Sequence, residues 1–384
     1  MCLFKCGKPS KSRFIFLFTL FIFIRKSILI FLKKYCAFEG TLIIAWLMFG
    51  GELFIGLCNI FIEYKKLINV KIEKFIGIPI ITSKKDPHHS KCHKVLLFLF
   101  CAALDFSYYF FLNYHVTKKY SAIVYLLDIK LSPFILIFAS IICAALISQK
   151  VGIAQIISIF IILISLAGII SAEFLIRKND NNNEIKLLIY IIGCYFFSGL
   201  QYCVEKYLME YDNSTPFQIL FYEGIFGNIA MIILSFFNIE KKFPDTDEIK
   251  HLWALIIGFI LYFLASCFLN IYRLSVILSS SPTNAATSHS FAIPLIIILS
   301  YFINKSEIND IENKWLYLGI NSTSIIFIIL SCLFFNEIIL FICQDINNYD
   351  NKGGNKNIKI NDSFLSGSQN RIEGSFTSEG EDSF

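Results

Sequence analysis

Long apolar runs broken by short polar stretches dominate the chain. The runs fall at 14–32, 41–63, 95–114, 121–147, 151–176, 186–208, 216–237, 251–276, 282–303 and 315–342. Each is near the 20 or so apolar residues that a helix needs to cross a bilayer. Backbone groups in lipid must be satisfied within their own segment, so runs of this length predict helices rather than loops. The pattern predicts an all-α membrane protein of about ten transmembrane helices. The expected divisions are an N-terminal segment 1–13, a first set of five spans over 14–176, a linker 177–185, a second set of five over 186–342, and a tail 343–384.

The first run departs from the rest, because Arg25 and Lys26 stand near its middle. Each charge would cost roughly 2.5–3.5 kcal/mol at the bilayer centre. Either this run crosses or it lies along the interface. Lys and Arg concentrate in the loop 63–94, which predicts that both termini are cytosolic. The tail is rich in Asn, Asp, Gly, Ser and Lys and reads as disordered.

Composition agrees with the runs. Hydrophobic residues make up 56% of the 384 and charged residues 16%, with 41 Phe. A soluble domain carries about 25% charged residues, so that class is excluded. The net charge of +5 is mild, and no nucleic-acid partner follows from it. The 12 Cys lie mostly inside apolar runs without regular spacing and read as buried free thiols. His88, His89, Cys92 and His93 crowd one loop, but without a second cluster they read as a solvated basic segment rather than a metal site. No phosphate-binding loop, dinucleotide turn or HExxH motif occurs, so neither a cofactor nor an enzyme is expected.

The fourth and ninth runs resemble each other. Asp128 stands five residues before Pro133, and His289 five before Pro294. The same offset carries the third run onto the eighth and the fifth onto the tenth. Two five-span halves follow. An odd number of spans inserts the second half upside down, the inverted repeat of many secondary transporters, whose substrate site lies between the halves.

Ionisable groups inside spans are functional candidates. Those present are Glu52, Asp105, Asp128, Lys130, Glu205, Glu223, Arg273 and His289. Asp128 and Lys130 are two apart and face different ways on a helix, so each needs its own partner. Lys130 reads either as a cation for an anionic substrate or as half of a structural ion pair. Gln201 and Glu205 share a face. Glu63, Glu173 and Lys206 lie nearer span ends, where they can snorkel. On the ninth run Thr283, Thr287 and Ser290 follow one face, with Asn284 and Ser288 on the adjacent one. These read as helix glue or as cavity lining beside His289, itself either a proton carrier or a hydrogen-bonded structural group.

With the spans laid out, Met48–Phe54 (Met-Phe-Gly-Gly-Glu52-Leu-Phe), Ala103-Leu-Asp105, Gln201-Tyr-Cys-Val-Glu205-Lys206-Tyr-Leu, Pro216, Tyr222-Glu223-Gly224-Ile-Phe-Gly227 and Asn270 resemble the solute carrier family 35 F branch. The resemblance covers roughly 41–342. It implies the drug/metabolite transporter superfamily, with ten helices in two inverted halves and an endomembrane location in Golgi, lysosome or vacuole. The departures are Ala285, His289 and Ala292 where that branch has charged residues, and Asp128 where an arginine is usual. They fall where substrate is expected, so substrate identity does not carry over.

The sequence reading is therefore a multi-pass secondary transporter for a small polar or charged metabolite, driven by exchange or proton coupling. Asp105, Asp128, Lys130, Asn284, Thr287 and His289 are expected in its cavity. Glu52, Glu205, Lys206, Pro216, Glu223, Gly224, Gly227 and Asn270 are expected to organise the helices. The expected partners are the bilayer and the substrate, with a homodimer left open. The alternatives are a non-transporting membrane scaffold or regulator, and a lipid-modifying enzyme.

Overall fold

A computed structural model describes residues 11–36, 38, 41–65, 91–112, 122–147, 151–176, 181–236, 252–303 and 314–336. The tail, the loop carrying His88 and His89, most of the N-terminal segment and residues 177–180 of the linker lie outside the described residues; the rest of the expected linker, 181–185, is helical. The helices are α1 Lys11–Cys36, α2 Thr41–Lys65, α3 Lys91–Phe111, α4 Ala122–Leu131, α5 Phe134–Leu146, α6 Ile153–Ile176, α7 Asn181–Glu210, α8 Pro216–Phe236, α9 Leu252–Ser279, α10 Pro282–Ile303 and α11 Lys314–Phe335. Among the described residues there is no strand.

Each expected span has its helix, and the fourth has two. Ser132-Pro133 separates α4 from α5, with Ser132 N–H bonding Ile129 O in a tight 3₁₀ turn. Pro133 itself takes helical angles as the cap of α5, since its fixed φ suits the start of a helix and its missing N–H would have had no partner there. Pro294, by contrast, sits inside α10 without ending it. Among the described residues, nine of the spans are long and apolar enough to cross a membrane. The polar first half of α10 keeps that helix from being a tenth.

The chain is thus an all-α, multi-pass membrane protein, with large apolar side chains on its outside and a group of acidic side chains inside its apolar core. Ile153, Phe236, Trp253 and Trp315 are exposed, while Glu52, Asp105, Glu205 and Glu223 are fully buried. α1, which the sequence leaves undecided, is one continuous helix seated against α9 and α10. Its two mid-helix charges point inward: Arg25 is buried and bonds the hydroxyl of Tyr109, and Lys26 pairs with the buried Asp128.

The strongest packing pairs α2 with α8, α6 with α11, α1 with α9 and α10, and α7 with α3 and α5. α2 also meets α9, α3 meets α8, and α5 meets α10. With the helices renumbered as spans, moving five places along exchanges these pairs. First–eighth becomes sixth–third, first–ninth becomes sixth–fourth, and second–eighth becomes seventh–third. Second–seventh, fourth–ninth and fifth–tenth return to themselves.

α2 and α8 run antiparallel. Gly56 lies against Phe221, Gly224 against Leu53 and Gly227 against Phe49. A Cβ at Gly224 would stand 2.3 Å from the backbone nitrogen of Leu53, so the two backbones approach as closely as small residues allow. α6 and α11 are antiparallel too, since Gly168 faces Ser324 and Glu173 bonds Tyr317.

Gly224→Leu must separate α2 from α8. A loss of about 1–3 kcal/mol is expected, by analogy with overpacked cores, read as a lower melting temperature in detergent. Gly193→Ala, where an added Cβ meets nothing within 4 Å, leaves the melting temperature unchanged or raises it.

Candidate functional site

The site begins at the link between α7 and α8. Asn213 adopts a left-handed φ of 52°, and Ser214 N–H returns to Leu208 O, closing the end of α7. Thr215 and Gln218 then form a reciprocal capping box: Gln218 N–H donates to Thr215 Oγ1 and Thr215 N–H to Gln218 Oε1. Pro216 takes the first helical position, where its missing N–H costs nothing. This tight link turns the chain directly from α7 into α8. Gln201 Nε2 then donates to both Glu205 Oε1 at 3.0 Å and Glu223 Oε1 at 3.3 Å.

Arg273 of α9 completes the group. Its Nη2 lies 3.0 Å from Glu205 Oε1 and 3.0 Å from Glu223 Oε2. Asp105 Oδ1 is 3.6 Å from Nη1, and Glu52 Oε1 is 3.8 Å from Nη2. Four carboxylates from α2, α3, α7 and α8 therefore surround one guanidinium. The Cys101 thiol donates to Glu223 Oε1. Neither oxygen of Glu52 has a hydrogen-bond donor, and both amide atoms of the fully buried Asn270, one turn from Arg273, are unpartnered. Oxygens of Glu52, Asp105 and Glu223 lie within 4.8 Å of one another, as do donors of Cys101, Glu205 and Glu223. These sets suit a hard cation by donor type, although Arg273 already occupies their common focus.

A second polar group lies around α1. Lys26 Nζ pairs with Asp128 Oδ2 at 2.9 Å. Tyr195 donates to Asp128 Oδ1 at 2.6 Å and also contacts its backbone oxygen. Tyr108 touches the rings of both Tyr195 and Tyr109. Arg25 Nη1 donates to Tyr109 Oη at 2.9 Å, with the guanidinium 5.3 Å from that ring's centre. His289 bonds Tyr202 Oη at 2.8 Å and meets Phe18 edge-on.

The six residues expected in one cavity thus have separate settings. Asp105 joins the Arg273 group, Asp128 joins Lys26, and His289 joins Tyr202. Lys130 is held by Glu173 at 2.8 Å and Tyr317 at 3.0 Å, the structural pairing of its two readings. Glu173 does not snorkel; it is buried against that ammonium. Lys206 also turns inward, bonding Ile277 O and Leu278 O near the end of α9 while pairing with Glu210, because late helical carbonyls attract a cation. Asn284 supplies its carbonyl to Thr287 and Ser288, and Asn336 donates to Thr287; these groups bind α10 to itself and to the end of α11. Ala285 and Ala286 are fully buried, as close helix approach requires.

The motif residues do gather. Glu52, Glu205, Glu223 and Asn270 lie in or beside one group, and Gly224 and Gly227 provide the approach that forms it. What sequence reasoning underweighted is Arg273, one cation in a long apolar run facing several scattered acids, and Arg25, taken as an interruption. Compared with models of known protein families and with curated proteins, the chain matches none.

Removing the arginine leaves buried carboxylates facing one another. Arg273→Met is expected to cost about 3–5 kcal/mol, the usual penalty for breaking a buried pair, measured by thermal or denaturant unfolding in detergent. Adding Glu52→Gln and Asp105→Asn in that background recovers part of the loss.

Proposed function

We propose that the protein is a secondary transporter that moves a small polar or charged metabolite across an endomembrane by alternating access. The observation that carries this reading is the buried Arg273 group. Ionised side chains are costly inside a membrane protein and mark substrate or ion pathways. Here five helices contribute them to one place. Two come from the first five spans and three from the second, so a ligand at this point touches both halves.

The packing supports the same reading. Its pairs exchange under a five-span shift, and the second span runs antiparallel to the seventh, as the fifth does to the tenth. That is the arrangement expected of inverted repeats, which rock about a central site. The resemblance of the Glu-Lys…Pro…Glu-Gly-x-Phe-Gly stretch to the drug/metabolite transporter superfamily points the same way.

Reconstituted into liposomes loaded with a broad panel of metabolites, the protein is expected to catalyse uptake or exchange. Asp105→Asn is expected to reduce the rate at least tenfold. The double variant Lys130→Met, Glu173→Leu retains most of it, since that pair braces α4. Removing residues 343–384 also leaves uptake intact, whereas a scaffold role would depend on such a tail. Absence of uptake or exchange across the panel, with correctly inserted protein, would refute the transporter reading.

A further inference from the structure

The buried charges are not evenly matched. Lys26, Lys130 and Arg273 each have a carboxylate within 3.0 Å. Arg25, 4% exposed in the middle of α1, has none within ion-pair reach among the described residues; its hydrogen bond goes to the neutral phenol of Tyr109. The opposite imbalance stands beside it. Four carboxylates share Arg273, and the two farther ones, Glu52 and Asp105, are held only at 3.8 and 3.6 Å. Glu52 is fully buried without a donor, and Asn270, one turn from Arg273 on the same helix, is fully buried and unpartnered as well.

The two imbalances are neighbours. Asp105 and Tyr109 are four residues apart on α3, so they share a face about 6 Å apart along the axis. Tyr109 holds the guanidinium that lacks an acid, and Asp105 belongs to the four acids that share one cation. An added cation alone leaves Arg25 without a counter-charge. An added anion alone adds to the carboxylate excess one turn away. A small molecule carrying both charges a few ångströms apart compensates both.

We infer, resting on the transporter reading, that the substrate is a small zwitterion of the α-amino-acid class, its carboxylate on Arg25 and its ammonium on Glu52 and Asp105. The guanidinium fork accepts a carboxylate through two parallel hydrogen bonds. The ammonium has three donors, which match Glu52, Asp105 and the Asn270 carbonyl. Phe49, packed against both Phe106 and Tyr109, gives the same region an apolar wall for a side chain. Lys130, closed off by Glu173 and Tyr317, takes no part.

The test uses purified full-length protein in detergent and its melting temperature. The twenty L-amino acids are added one at a time, each beside its N-acetyl derivative, which lacks the cation, and its decarboxylated amine, which lacks the anion. At least one amino acid is expected to raise the melting temperature saturably, with both derivatives at least tenfold weaker. Arg25→Met and Glu52→Gln each weaken that amino acid at least tenfold, and Arg25→Lys weakens it less than Arg25→Met. Melting without ligand reports whether each variant is folded, and Arg25→Lys stands in if Arg25→Met is not. Stabilisation by the amine or the N-acetyl form as strong as by the parent overturns the assignment, as does no stabilisation by any amino acid. Uptake of other metabolites without amino-acid binding overturns this inference and leaves the transporter reading standing; amino-acid binding without transport of any metabolite does the reverse.

Discussion

One guanidinium among four carboxylates, out of contact with water, organises the interior. At an effective dielectric near 20, a charge pair at this separation is worth roughly 5 kcal/mol, while each buried ion loses several kcal/mol of hydration. Two contacts at 3.0 Å therefore about offset what Arg273, Glu205 and Glu223 lose. Asp105 and Glu52, farther out, are not compensated in the same way. The group is held by the helices rather than holding them together. Backbone contact between Gly224 and Leu53 sets Glu223 beside Glu52, and the capping box at Thr215 and Gln218 starts the helix that carries Glu223. Packing enforces an electrostatic arrangement that the charges alone would not choose.

Much of this was legible in the sequence because two simple rules apply inside a membrane. Apolar length gives the spans, and all of the described helices fall where the runs predict them. Ionisable residues within those runs mark the interior, and Glu52, Asp105, Glu205 and Glu223 were singled out on that ground. Pairing was not legible. Which acid meets which base depends on helix rotation and depth, and an isolated residue in an apolar run carries no signal of either. Hence Lys130 looked available to substrate although Glu173, 43 residues on, closes it off. Arg25 looked like a flaw in the first span for the same reason, since hydropathy registers the cost of a charge and not the direction it faces. Gly224 and Gly227 were singled out only as motif residues, and the structure shows that α2 makes its close approach to α8 there.

The short helix α4 explains how the outlying pair α6–α11 is tied to the rest. These two helices pack chiefly on each other, and their further contacts run through α10 and α4. Residues two apart on a helix point in different directions. Accordingly Asp128 reaches Lys26 of α1 and Tyr195 of α7, while Lys130 reaches Glu173 of α6 and Tyr317 of α11. The break at Pro133 frees this segment from the axis of α5, so both charges can be satisfied at once. A continuous helix would fix their direction by the packing of α5 against α7. The proline and the two charges are therefore one device. It fastens the outlying pair to the very helix that carries Arg25.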